Sequence, residues 1–147
     1  MNRVKEMHLT LEQDYSIRVV YELCKAEYFM DVGDLADKTG ISKAYAQKIM
    51  FKLSKSPFFI SKKGVDGGYM LAKGVTPADI SFYDVLVAMG EDLCVNSCLA
   101  GKYKCTRPEV VKNNGQCEIQ KLMQFLNKEW VAHLKSMTFD MVIKTIN

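Results

Sequence analysis

Asp31 and Ser42 are two helix-start signals in close succession, and they constrain this chain more than anything else in it. Asp31 can cap the short segment DVGDLADK, which Gly40 ends. Ser42 can cap a helix running to about Lys55. Only Thr39-Gly40-Ile41 then joins the two, which is the pattern of a helix-turn-helix. The second helix has Tyr45, Ile49, Met50 and Leu53 on its apolar side.

The flanking segments extend this unit. Thr10-Leu-Glu-Gln13 is a capping box, and it predicts a helix through about Tyr28. Ile17, Val20, Tyr21, Cys24 and Tyr28 form its apolar face. After Pro57, Phe58-Phe59-Ile60 and Tyr69-Met70-Leu71 predict two short strands around the hairpin loop SKKGVDGG. A hairpin directly after a helix-turn-helix is a wing. Ser81 can cap a helix over about residues 82 to 90. From about Glu118 to Ser136 a long helix is expected, with Ile119, Leu122, Met123, Leu126, Trp130 and Leu134 on one stripe. A chain of 147 residues that is 48% apolar can bury a core, but this stripe lies beyond the winged unit. Packing against the same helix of a second chain covers it most simply, so a homodimer is expected.

The predicted fold class is therefore mainly α with a small β-hairpin wing: a winged helix-turn-helix plus a long C-terminal dimerisation helix. The expected divisions are a DNA-binding domain over residues 1–90, a cysteine-rich loop over 91–117, and the dimerisation helix and C-terminal segment over 118–147.

Charge is segregated. The net charge is only +3, yet no acid occurs between Asp37 and Asp66, where Lys38, Lys43, Lys48, Lys52, Lys55, Lys62 and Lys63 fall. These cations span the expected recognition helix and wing, as double-stranded DNA binding requires. Ser42, Lys43 and Lys48 lie toward the helix start, the end that enters the major groove in helix-turn-helix proteins. Gln47 and Tyr45 are the polar groups there that could reach base edges, although Tyr45 fits the core equally well. Lys62 and Lys63 would ride on the wing. Lys52 and Lys55 suit phosphate contacts or plain surface.

Four of the five cysteines fall in one stretch, as Cys94-x3-Cys98-x6-Cys105-x11-Cys117. No run of about 18 apolar residues is present to cross a membrane, and the first 16 residues lack a signal-peptide core. A cytoplasmic protein is expected, where clustered thiols point to metal or redox chemistry rather than disulfides. No CxxC pair occurs, so the spacing suits an iron–sulfur cluster better than zinc; metal-free redox thiols remain a third option. Lys102, Lys104, Arg107 and Lys112 lie in the same stretch, and cations favour the thiolate form. Cys24, on an apolar helix face, suits an inert buried thiol. An enzyme is not expected, because no Cys–His spacing or Gly-rich phosphate loop is present.

The segments LTLEQDYSIRVVYEL, VGDLADKTGISKAYAQKIMFKLSKS, GVDGGYMLAK and ISFYDVLVAMGED, followed by the cysteine loop and a Trp-bearing helix, resemble the Rrf-two family of bacterial winged-helix regulators. The resemblance implies a homodimeric repressor on a dyad-symmetric operator. It also implies a 2Fe–2S or 4Fe–4S cluster sensing nitric oxide, redox state or iron–sulfur status. By that resemblance Cys98, Cys105 and Cys117 take the ligand positions and Cys94 is extra. Some members add a His three residues after the last Cys, where this chain has Gln120. Others use an Asp of the first helix reaching across from the partner subunit, and Asp14 stands at that position. His8 and His133 are weaker candidates.

Overall fold

Capping side chains start the first four helices. In the computed structural model, which describes residues 9–90, 92–101, 104–113, 115 and 117–146, Thr10 Oγ1 accepts from the Gln13 amide and Gln13 Oε1 accepts from the Thr10 amide. That box opens α1 (Leu11–Lys25). Asp31 caps α2 (Val32–Thr39) through the Asp34 amide, and Gly40 closes it in the left-handed conformation. Ser42 caps α3 (Lys43–Leu53) through the Tyr45 amide, and Ser81 with Asp84 forms the box of α4 (Phe82–Ala88). Helices α1 to α4 enclose one core that includes Val19, Leu23, Leu35, Ile49, Met50 and Val85.

The ends differ from expectation. Helix α1 stops at Lys25 rather than near Tyr28, because the chain must reach Met30, whose backbone pairs with Tyr69 in both directions (2.9 and 2.8 Å). Helix α3 stops at Leu53, and Ser56 turns back onto the Leu53 carbonyl ahead of Pro57. The wing is an antiparallel hairpin of β1 (Phe59–Lys62) and β2 (Gly68–Leu71), with Phe59 opposite Leu71 and Lys62 opposite Gly68. Met30 adds a one-residue bridge on the outer edge of β2, which locks the wing to the start of α2.

This bridge explains one of the paired glycines of the wing, and the hairpin's own backbone explains the other. A Cβ on Gly68 would lie 2.2 Å from the Met30 carbonyl oxygen, and φ there is +147°. A Cβ on Gly67 would lie 2.3 Å from the Lys62 oxygen. Gly68→Ala should cost about 1–3 kcal/mol in chemical denaturation, through backbone strain and the lost bridge. Gly74→Ala has φ +83° but meets nothing within 4 Å, so it should cost about 1 kcal/mol or less.

Two elements were not foreseen. The loop after α4 contains α5 (Pro108–Lys112), which Pro108 initiates at its first position instead of marking only a turn. After the long helix α6 (Glu118–Ser136), the chain returns as α7 (Phe139–Ile146). Phe139 is fully buried, its ring 5.1 Å from that of Phe82, and its amide donates to Ile80 O. The last segment thus completes the core of the winged unit.

The single stripe expected on α6 divides in two. Leu134 is buried within the chain and Met123 is half-buried. Ile119, Leu122, Leu126 and Trp130 remain 51%, 62%, 51% and 39% exposed along an adjoining seam.

Candidate functional site

Helix α3 turns Ala46, Ile49, Met50 and Leu53 inward, and this leaves Lys43, Ala44, Gln47, Lys48 and Phe51 on its outer face, with Lys55 exposed just beyond its end. Ser42 is exposed but its hydroxyl serves as the helix cap. Tyr45 is half-buried, standing edge-on to Tyr15 with ring centroids 5.2 Å apart, so it supports the α1–α3 packing. Lys62 and Lys63 are exposed on the wing, with Lys62 Nζ 5.7 Å from the Phe29 ring centre.

The seven lysines are not all uncompensated. Glu12, from the first turn of α1, accepts from Lys48 Nζ at 2.9 Å and also from Lys52. These contacts, Lys52 first and then Lys48, hold the Glu12 carboxyl below the usual carboxylate range. A carboxylate far away in sequence supplies the acid that the local run lacks. Lys43, Lys55, Lys62 and Lys63 make no ion pair among the described residues. They form the open cationic surface.

The thiols gather at the base of α6. Cys98, Cys105 and Cys117 line one cavity of about 460 Å³, together with Lys104, Arg107, Val110, Ile119 and Gln120. Buried Val110 seats α5 against this site, and Cys117 is the residue preceding α6. Asn127 of α6 accepts from the Val95 amide at 2.8 Å and anchors the start of the loop. Arg107 Nη1 lies 3.6 Å from Cys117 Sγ, which places a permanent cation beside this thiol. Cys94 lines a different depression with Asp92, Val95 and Ser97.

Asp14 does not line the thiol cavity; it is half-buried and pairs with Arg18 at 2.6 Å. His133 lies in the last turn of α6, away from the cavity, and His8 and Lys102 fall outside the described residues. The donor set suits a cluster bound by cysteine thiolates, and three thiols share one cavity. Among the described residues no three His, Cys, Asp or Glu side chains stand close enough together to hold a metal ion. Cys24 packs against the core and burial pushes its thiol up to about 12, so it stays protonated at neutral pH.

A family model described as Rrf2, iron-dependent transcriptional regulator, matches residues 9–145. The chain belongs to the Rrf2 family. The regulator NsrR of Bacillus licheniformis is 30% identical over 98 residues, which is 65% of this chain and 67% of that protein. Among solved structures, T. potens IscR superposes with a TM-score of 0.70 at 18% identity, covering 96% of this chain and 89% of that one. CymR, the global cysteine regulator of B. subtilis, gives 0.71 at 18%, covering 95% and 98%. These likenesses establish the winged-helix fold, and the relatives are transcriptional regulators, not enzymes. No described helix is long and apolar enough to cross a membrane.

Within this Rrf2 chain, two residues escaped the sequence reading. Phe51 is 65% exposed, one turn beyond Gln47 on the recognition helix, and Lys55 Nζ lies 4.4 Å from its ring centre. Its i+4 spacing from Gln47 was the available signal. Glu12 carried no such signal, since its partners lie two helices away.

Proposed function

We propose that this chain is a homodimeric repressor that binds a dyad-symmetric double-stranded DNA operator through α3 and the wing, with affinity governed by an iron–sulfur cluster. The observation that carries this is that Lys43, Gln47 and Lys55 are exposed on or just beyond α3 and Lys62 and Lys63 on the wing, the four lysines with no ion pair among the described residues. Lysines hold phosphate and set orientation, while Gln47 can read adenine in the major groove. Ser42 fixes the start of α3, and Tyr45 braces it against α1.

In this reading Cys98, Cys105 and Cys117 hold the cluster, of 2Fe–2S or 4Fe–4S type, and the partner subunit's Asp14 supplies the fourth ligand. Asp14 lies away from its own chain's cavity with its side chain partly open to solvent, which supports a role across the dimer. The bound group supplies a centre that reacts to nitric oxide, redox state or iron–sulfur status. The chain's own part is mechanical. The loop connects α4, packed on the winged unit, with α6, whose seam faces the second copy. Fixing the loop fixes the separation of the two recognition helices against the half-site spacing.

Fluorescence anisotropy with duplex DNA at rising salt tests the interface. Four open lysines per protomer, eight per dimer, give an expected slope of log affinity on log salt of about −7. A flat salt response would overturn it. A second reading, metal-free redox thiols in the same fold, is favoured by the Arg107 contact to Cys117. Iron and sulfide analysis of anaerobically purified protein separates the two, and a zinc content would point to a zinc site instead.

A further inference from the structure

Glu12 sits where three elements meet. Its two carboxylate oxygens are taken by Lys48 and Lys52 of the recognition helix. Lys52 also donates to the Met89 carbonyl at 3.1 Å, at the C-terminal cap of α4, immediately before the thiol loop. The Glu12 side chain is largely shielded, whereas Lys48 is half exposed, so the Lys48 side of this shared pair is open to exchange. Glu12 also shares the first turn of α1 with Asp14. Asp14 and the thiol loop thus both adjoin residues of the Glu12–Lys52–Met89 junction. Lys48, meanwhile, lies on the outer face of α3, and while it serves Glu12 it is partly withheld from phosphate.

We propose that Glu12 is a positioning residue that competes with DNA phosphate for Lys48 and transmits the state of the cysteine loop to the recognition helix through Lys52. This rests on the cluster-regulated dimer proposed above. The step is one of ion-pair exchange. Phosphate replaces a carboxylate at Lys48, and the Lys52 contact to Met89 sets how readily Glu12 lets go.

Glu12→Gln keeps the shape and removes the charge. Anisotropy on an operator duplex selected from a random library should show about tenfold tighter binding in cluster-free protein. The salt slope should steepen by about two per dimer, one for each released lysine. The affinity ratio between cluster-loaded and cluster-free protein should shrink at least fivefold, with the visible cluster spectrum unchanged. Lys52→Met breaks the same junction from the other end. It should shrink the ratio likewise, and the double variant should add little more. If Glu12→Gln does not fold, Lys52→Met alone decides.

Wild-type slope and ratio in these variants would overturn the proposal. Should wild-type protein itself show no difference between loaded and cluster-free forms, cluster control fails. The competition for Lys48 is then still decided by the salt slope.

Discussion

Leu126→Asp is expected to turn the protein into a monomer at micromolar concentration and to weaken operator binding by at least about a hundredfold. Leu126 lies mid-seam, between Leu122 and Trp130, and its side chain is half exposed in the single chain. From residue 119 to residue 130 the seam runs about 16 Å along α6 at 1.5 Å per residue. Four large apolar side chains in one line are more than an isolated small protein ordinarily leaves to water. Burying each contributes about 1.5–3 kcal/mol, and in the proposed dimer each copy buries the same seam. A carboxylate at the centre would face its own symmetry mate with no compensating cation on the seam. Because Leu126 lies outside the buried core, far-UV circular dichroism should not change. Sedimentation velocity reads the assembly state and anisotropy reads the binding. Lys128→Asp, on the opposite side of α6 by helical geometry, should leave the dimer intact. A Leu126→Asp protein that stays dimeric would remove α6 as the interface.

The second large effect is expected at the thiols. Cys98→Ser, Cys105→Ser and Cys117→Ser should each reduce iron and sulfide in anaerobically purified protein to about a tenth of wild type or less. Cys94→Ser should retain them. The distinction comes from position, since the first three share one cavity while Cys94 faces another. Serine keeps the shape of cysteine but is a poor substitute for a thiolate, and clusters are held chiefly by thiolates. Asp14→Ala should alter the spectrum more than the iron content, because one oxygen ligand is lost while three sulfurs remain. Cys94→Ser losing the cluster, with Cys98→Ser keeping it, would reassign the ligand set.

The helix starts were legible because they are local. Thr10, Asp31, Ser42 and Ser81 each cap an amide three residues on, and that signal needs no tertiary context. Helix α7 was not legible in the same way, since Phe139 acquires its meaning from Phe82 and Ile80, far behind it in the chain. The wing was visible in its glycines, but the Met30 bridge that makes Gly68 necessary was not. On α3 and the wing, the acid-free run pointed to the lysines but misjudged how many stand open. Glu12 reaches Lys48 and Lys52 across the α1–α3 packing, and no local charge count contains it. The α6 stripe was seen as one surface; only the packing of α6 on α4 divides it into an inner edge and an outer seam. Resemblance to the family set Cys94 apart, and the geometry gives it a separate depression.

The proposed function couples the two halves of the molecule: what happens in the cysteine loop changes how α3 and the wing hold DNA. Its most direct test is the operator affinity of anaerobically purified, cluster-loaded protein against the same protein after cluster removal, at one fixed salt concentration. At least a tenfold difference is expected, carried by a dimer in both states. Equal affinities of the two forms would contradict it.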